Sequence, residues 1–417
     1  MAKHAERKAF EAFLKSCIRG VQSSDLPALL HHTDIHEVDR LVARTGLDGF
    51  LMSCSRITGT ISHLPDSLVQ GMLKRHGLTM MKNEIIRSHL DEVSRCFNNA
   101  RIRYVVLKGI QIINRIYPEF SCRSVGDIDI FIHPEDYRSA AALLESSGFS
   151  FPDQAMHAVS DVYDKNWVER EMREISYVRP AWPDAIRLDI HLSMEIFRNH
   201  EQMNQIFPIG KLDWLSHATV LNIDGLMIPC LDDEYELLHM IFHYSIWHSF
   251  MGHKWLVDIC RMLQVKADSL DWKKIYDACH CLNLRRLVSL TLSLCASIGG
   301  PDLIPEAAKR YFLPVHRSLA YTMARRIMFK NNTGIRGRFY RKFYNALLPA
   351  GFCDKLSVMN YYLFDTSSLK TRLGDKYSKL PAFFFPFILL KVTISEYIHN
   401  RQKQRNVKTK DTSQNCG

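Results

Sequence analysis

Apolar residues recur at intervals of three and four over the first hundred positions. The spacing is clear in AFEAFLKSCI and again in MLKRHGLTMMKNEIIRSHLDEVSRCF. A period of this kind places apolar side chains on one face of an α-helix. Thr33-Asp34 and Leu64-Pro65-Asp66 supply helix-start signals between these segments. We therefore predict an N-terminal helical region over residues 1–100.

The pattern changes at residue 101 to short β-branched and alternating runs, which are typical of strands. Strands are predicted in RIRYVVLKG, DIDIFI, REISYVRP and IRLDIHLSM, and helices in IQIINRIY and PEDYRSAAALLESSGF. ATVLNIDGLMIPCL predicts two further strands around the tight-turn pair Asp224-Gly225. Residues 101–230 are therefore predicted to form a small α/β core with a mixed sheet.

The helical period returns after Asp232. It runs through DDEYELLHMIFHYSIWH, KWLVDICRMLQ, LDWKKIYDACHCL and LRRLVSLTLSLCASI. Shorter helices are predicted beyond them, broken at Gly300-Pro301, Gly334 and Pro349. We predict a C-terminal helical region over residues 231–398 and a basic flexible tail over residues 399–417. The predicted fold class is α+β, with the sheet flanked by two helical regions.

Composition and charge narrow the class of protein. The chain has 417 residues, of which 47% are hydrophobic and 11% aromatic, enough for packed cores and against whole-chain disorder. This length predicts about two or three domains. Lys and Arg outnumber Asp and Glu by 54 to 44, a net charge of +10. Such a charge favours contact with phosphates, nucleic acids or an anionic membrane surface, although it often serves only solubility.

The ends of the chain and its cysteines bear on location. The eleven cysteines lack the paired spacing of zinc sites, which fits a reducing cytoplasm. The charged N-terminus MAKHAERKAF lacks the apolar stretch of a secretory signal. Near the C-terminus, LPAFFFPFILLKVTI contains two prolines and is too short to span a bilayer. We favour a buried helix there over a peripheral membrane contact, and a cytoplasmic location overall.

Two acids lie two residues apart in the predicted strand DIDIFI. Side chains two apart face one side of a strand, so Asp127 and Asp129 would repel unless a cation or protons neutralise them. Mg²⁺ is the natural cation, because hard ions take carboxylate oxygens. Alternatively, Asp127 caps the strand entry and Asp129 is solvated at an edge. Asp189, within the apolar strand IRLDIHLSM, would complete a site for two metal ions.

Residues for binding a nucleotide stand before this pair. Lys108-Gly109 ends one strand and opens a helix, which offers free backbone N–H groups and a positive dipole end to a triphosphate. Lys108 adds a compact charge, and Arg123 adds a second one four residues before Asp127. His191 would share a strand face with Asp189 and either orient Asp189 or the acceptor, or serve a structural role.

The stretch LKGIQIINRIYPEFSCRSVGDIDIFI followed by IRLDIHLSM resembles the signature of the uncharacterised nucleotidyltransferase family found in many bacterial genomes. This family is a branch of the DNA polymerase β-like nucleotidyltransferase superfamily. Its motifs are a glycine-containing strand-to-helix turn, an acid pair separated by one apolar residue, and a later acid. The resemblance extends over about residues 30 to 300. In this chain Ile110 stands where a second Gly or a Ser is usual, and the gap from Gly109 to Asp127 is longer.

The resemblance implies an Mg²⁺-dependent transferase of NMP groups from an NTP such as ATP, with release of pyrophosphate. Asp127 and Asp129 would bind two Mg²⁺ ions, and Asp189 would ligate one of them and bring in the acceptor hydroxyl. The acceptor could be a small molecule, a sugar, a protein or a nucleic acid. Two alternatives stay open: a catalytically inactive binding or scaffold protein of this fold, and a metal-dependent phosphotransferase.

Two further clusters have competing interpretations. His239 and His243 have the i, i+4 spacing of zinc ligands, and His248 and His253 follow, but no glutamate separates the first pair. We favour buried structural histidines beside the cleft. RRIMFKNNTGIRGRFYRKFY mixes basic and aromatic residues as a nucleic-acid surface does, yet the solvated face of short helices is the favoured interpretation.

Overall fold

The computed structural model describes residues 4–150, 173–181, 185–195, 204–316, 318–329, 344–345, 347–349 and 351–364. The chain divides into two compact units. The first comprises residues 1–248 and 252–316, and the second comprises residues 249–251 and 317–417. The sheet and every predicted site residue belong to the first unit. The predicted boundaries near residues 100 and 230 thus mark changes of secondary structure inside that unit.

Helices make up the N-terminal part of the first unit. Asp34 caps one of them by accepting a hydrogen bond from the His36 amide, as its helix-start signal predicts. Phe10, Phe13 and Leu14 on the first helix are fully buried, so the three- and four-residue spacing does mark a core face. The helices are α1 (His4–Arg19), α2 (Leu26–His31), α3 (Ile35–Ala43), α4 (Asp48–Ile57) and α5 (Asp66–Asn99).

A mixed sheet of six strands follows and confirms the predicted fold class. The strands are β1 (Tyr104–Leu107), β2 (Ile128–Ile132), β3 (Glu174–Arg179), β4 (Ile186–His191), β5 (Ala218–Ile223) and β6 (Leu226–Leu231). Their order across the sheet is β3-β4-β2-β1-β6-β5. Central strand β2 is buried at every residue and runs parallel to β4 and antiparallel to β1.

Within the residues that the structure describes, two short helices connect these strands: α6 (Gly109–Ile116) and α7 (Tyr137–Ser146). The turn from β1 into α6 is sharp, because Lys108 has φ 50° and ψ −152° and Gly109 has φ 58°. Positive φ suits glycine and is uncommon for lysine. The side chain of Lys108 makes no capping hydrogen bond to the first turn of α6. The leading N–H groups of a helix have no partner inside the helix, so those of α6 can serve a ligand.

Helices resume after β6. They are α8 (Asp233–Phe242), α9 (His253–Lys266), α10 (Trp272–Cys281), α11 (Arg285–Gly299) and α12 (Glu306–Lys309). Asp232 caps α8 by accepting from the Tyr235 amide. Beyond Phe242 the chain continues as a π-helical turn, His243–Trp247, a local distortion that is frequent at functional sites. Single 3₁₀ turns lie at Thr60–His63, Pro134–Asp136, Ile209–Lys211, Trp214–His217 and Pro301–Leu303.

The second unit contains α13 (Leu319–Phe329) and α14 (Phe352–Phe364). The predicted apolar segment at 380–394, the basic tail and most of the basic aromatic cluster lie outside the described residues. In the part of the chain that is described, no helix has the length and apolarity needed to cross a membrane. The ten described cysteines are all free thiols.

Candidate active site

Two buried acids face each other across neighbouring strands. Asp129 of β2 is paired in register with Asp189 of β4, in a parallel ladder. Adjacent strands lie about 4.8 Å apart, and register partners project to the same face of a sheet. Asp129 is 6% exposed and Asp189 is 3% exposed. The sheet therefore brings two of the three predicted acids together in a largely dry position.

Asp129 is held between two nitrogen donors. Lys108 Nζ lies 3.0 Å from its Oδ1, and His191 Nε2 lies 2.8 Å from the same oxygen. Burial alone would raise the pKa of this carboxyl, but the Lys108 charge and the His191 hydrogen bond outweigh it and hold the pKa well below its usual range. His191, predicted to orient Asp189 or the acceptor or to serve a structural role, contacts Asp129 in this structure.

The partners of Asp189 stabilise its charged form less than those of Asp129 do. Ser176 Oγ donates to its Oδ1 at 2.6 Å, and Arg187 Nε lies 3.4 Å from its Oδ2. Burial raises the pKa of Asp189 to about 6, and the negative charges of Glu174 and Asp129 act in the same direction. Near neutral pH this carboxylate can therefore accept a proton.

Asp127 lies immediately before β2, since the strand begins at Ile128. Its Oδ2 accepts a hydrogen bond of 2.8 Å from the Arg187 guanidinium, which also contacts Asp189. One arginine thus bridges the third predicted acid to the pair. Sequence reasoning missed Arg187, although it stands two residues before Asp189 in the same strand and so shares its face.

Arg123 is placed differently from its prediction as a phosphate contact. It is 3% exposed, and its Nε lies 2.8 and 2.9 Å from the two carboxylate oxygens of Asp258. Tyr117 also donates to Asp258, at 2.7 Å, and Asn83 donates to the Arg123 carbonyl. The guanidinium is enclosed and paired, so Arg123 fastens α9 to the loop before β2 and offers no open charge to a nucleotide.

The strand-to-helix turn contributes Lys108 and connects the acids to the histidine cluster. Lys108 Nζ lies 3.1 Å from His243 Nε2. Burial, followed by the nearby Lys108 charge, lowers the pKa of His243 well below its usual value, so the imidazole is neutral and accepts from the ammonium. His239 is also buried, on the same helix. The structural role favoured for this histidine cluster stays a prediction.

The predicted metal ligands have suitable chemistry, because Asp127, Asp129 and Asp189 present carboxylate oxygens, which hard divalent cations prefer. Across the described ranges, however, no group of three or more His, Cys, Asp or Glu side chains stands in an arrangement that could hold a metal ion. Lys108 and Arg187 neutralise the carboxylates in this structure. The ligand role of the three acids stays a prediction.

Comparison with known proteins gave one family. The model of a family described as "Uncharacterised nucleotidyltransferase" matches residues 31–300. That range includes the whole sheet, the β1–α6 turn and all the acids described above. No curated protein matches the chain.

Proposed function

Because this chain belongs to the uncharacterised nucleotidyltransferase family, we propose that it transfers an NMP group from an NTP to an acceptor hydroxyl and releases pyrophosphate. The observation that carries the proposal is the in-register pairing of Asp129 with Asp189 beside the open turn at Lys108 and Gly109. Acids on adjacent strands can ligate metal ions, and N–H groups at a helix N-terminus beside them can bind the phosphates that those ions contact.

The proposed reaction depends on Mg²⁺ held by Asp127, Asp129 and Asp189. Bound Mg²⁺ would neutralise phosphate charge and acidify the acceptor hydroxyl. The acceptor oxygen would form a bond to the α-phosphorus while the bond from that phosphorus to the oxygen bridging to the β-phosphate breaks. The proton of the hydroxyl would leave to Asp189 or to water.

The chain's own residues would divide this work. Asp129 keeps its charge because Lys108 and His191 stabilise the ionised form. Asp189, with its raised pKa, is suited to receive a proton from a hydroxyl placed beside it. Lys108 and the first N–H groups of α6 would contact the phosphates once the acids bind cations, since Lys108 is then no longer needed as their counter-ion.

The test is an acceptor screen with labelled ATP, GTP, CTP and UTP, Mg²⁺ and cell lysate. We expect one NTP to transfer its α-phosphate label and to release pyrophosphate. An Asp129→Asn variant should lose this transfer, whereas Asp224→Asn, at an exposed hairpin residue, should retain it. Release of NDP would indicate the phosphotransferase alternative. No transfer from any of the four would favour an inactive binding protein.

A further inference from the structure

An unpaired ammonium lies beside the candidate site. Lys254 is the second residue of α9 and is half-buried. Among the described residues its Nζ has neither a hydrogen bond nor a carboxylate within ion-pair distance. Asp258, one turn further along the same helix, would be its natural i, i+4 partner, but it is taken by Arg123. The fold therefore leaves this charge available.

The surroundings of Lys254 are those of the candidate site. Burial, with the charges of Arg123 and Lys108, lowers its pKa to about 8, while Asp258 and Asp127 oppose that change. Its position agrees with these influences, because Lys254 Nζ lies over the ring of Trp255, which neighbours His243, the contact of Lys108. A half-buried cation without a partner is unfavourable, and an anionic ligand would remove that penalty.

The Trp255 ring adjoins this cation and belongs to what we call the aromatic wall: Trp247, His248 and Trp255. The ring of His243 lies next to all three. The rings of His248 and Trp255 stack at 3.8 Å, and Lys254 Nζ lies 5.5 Å from the Trp255 ring. His243 contacts Lys108, and the centroid of its ring lies 6.4 Å from that of Trp247 and 5.9 Å from that of Trp255. The wall is thus continuous with the acid site.

Trp247 is the exposed member of the wall. It ends the π-helical turn and is 40% exposed, which is unusual for so large an apolar ring. Trp247 is connected to Lys254 through the rings of His243 and Trp255. A solvent-exposed flat ring and a lysine ammonium on one continuous set of side chains match a ligand with a planar aromatic part and a multiply charged anionic part. A nucleotide has both, since its base stacks on aromatic rings and its phosphates attract lysine.

We propose that the aromatic wall and Lys254 bind the NTP donor, with Trp247 stacked on the base and Lys254 on the triphosphate. The inference rests on the proposed function and adds the residues that recognise the donor. It also gives Arg123 an indirect role, because its pair with Asp258 positions α9 and leaves Lys254 unpaired.

The test separates the two contacts by the choice of probe. The probes are the tightest-binding of ATP, GTP, CTP and UTP, its nucleoside, and tripolyphosphate, each measured by calorimetry with Mg²⁺ and no acceptor. Lys254→Met should weaken NTP and tripolyphosphate about tenfold and leave the nucleoside unchanged. Trp247→Ala should weaken NTP and nucleoside about tenfold and leave tripolyphosphate unchanged.

Matched controls are Lys273→Met, at an exposed lysine of α10, and Met227→Ala, at an exposed residue of β6. Both should bind all probes as the wild type does. Lys254→Arg should keep most of the wild-type affinity for tripolyphosphate. That result would show that Lys254→Met loses affinity because it lacks the positive charge and not because it misfolds. Thermal unfolding of every variant checks the fold.

Three results would overturn the inference: a wild type that binds none of the four NTPs, a Lys254→Met variant with undiminished tripolyphosphate affinity, or a Trp247→Ala variant with undiminished nucleoside affinity. The proposed function fails separately. A wild type that binds NTP through these residues but transfers no label would refute the transfer and keep the binding site. A wild type that transfers the label, together with Lys254→Met and Trp247→Ala variants that bind as the wild type does, would refute the binding site and keep the proposed function.

Discussion

The β2 side and the β4 side of the candidate site contain the same residue at the same register but give it opposite properties. Asp129 and Asp189 are paired across the sheet and are nearly equally buried. The pKa of Asp129 is held far below its usual range, whereas that of Asp189 is raised to about 6. The difference lies in the partners: two nitrogen donors at Asp129, against a hydroxyl and a half-exposed arginine at Asp189.

This contrast shows how one sheet can supply two chemical roles. Burial pushes both carboxyls toward the neutral form, and only a close cation reverses that effect. Asp129, beside Lys108, keeps its charge, as its proposed role of metal ligand on the phosphate side requires. Asp189, whose nearby cation is the half-exposed Arg187, stays able to exchange a proton, as its proposed place beside an acceptor hydroxyl requires.

The largest effect is expected when the charged member of the pair is removed. Asp129→Asn should lower NMP transfer by about a thousandfold or more, because charge neutralisation at the phosphates would be the main catalytic contribution in the proposed reaction. The measurement is pyrophosphate release once the acceptor is known, with Asp224→Asn as the control. Activity within about tenfold of the wild type would place the essential charge elsewhere.

Removing the cation on the β2 side should come next. Lys108→Met leaves the buried Asp129 carboxylate with His191 alone, and loss of one partner of a buried pair destabilises a protein by roughly 3 kcal/mol. Urea unfolding at pH 7 measures this, with Lys273→Met as a matched control that should change stability little. Equal stability of the two variants would show that Lys108 does not set the Asp129 charge.

On the β4 side we expect a substitution to increase the stability of the protein. A carboxyl whose pKa is raised on folding contributes stability that is present below about pH 4 and lost as pH rises through about 6. Asp189→Asn should therefore raise the free energy of unfolding by about 1 to 2 kcal/mol relative to the wild type at pH 8 without added metal. The difference should vanish near pH 4. A variant that is less stable at pH 8 would contradict the raised pKa.

The smallest change concerns the hydroxyl. Ser176→Ala removes the 2.6 Å hydrogen bond to Asp189 and should destabilise the protein by about 1 kcal/mol at pH 8. It should also raise the pKa of Asp189 further, since that bond favours the charged form. Carbon NMR titration of the aspartate carboxyls measures the shift. An unchanged midpoint would mean that Ser176 is not the partner that limits this pKa.

The strands, the turn and the acids were predictable from local patterns. Alternation within IRLDIHLSM and the apolar run around Asp129 predict strands that the structure confirms as β4 and β2. The glycine after Lys108 predicted the β1–α6 turn. The register that sets Asp129 opposite Asp189 was not predictable, because parallel pairing of strands so far apart in sequence leaves no local signal.

The charged partners were harder to predict for a related reason. Arg123 looks like an open charge in its own segment, and its partner Asp258 lies 135 residues away. The counter-ions of the acids depend on the same long-range packing. Asp127 was predicted as a strand residue because it alternates with Asp129, yet the ladder begins one residue later. Arg187 was the exception, because its position two residues before Asp189 was already informative.

The backbone at Lys108 has one more consequence. Its φ of 50° and ψ of −152° lie near a region that glycine alone occupies readily, and other residues held there are strained by roughly 1 to 3 kcal/mol. Glycine at this position would ease the turn but would remove the ammonium. The chain nevertheless has lysine at this strained position. A residue with a side chain in a backbone conformation typical of glycine can therefore mark a functional turn, including one that lacks the usual Gly-Gly or Gly-Ser pair.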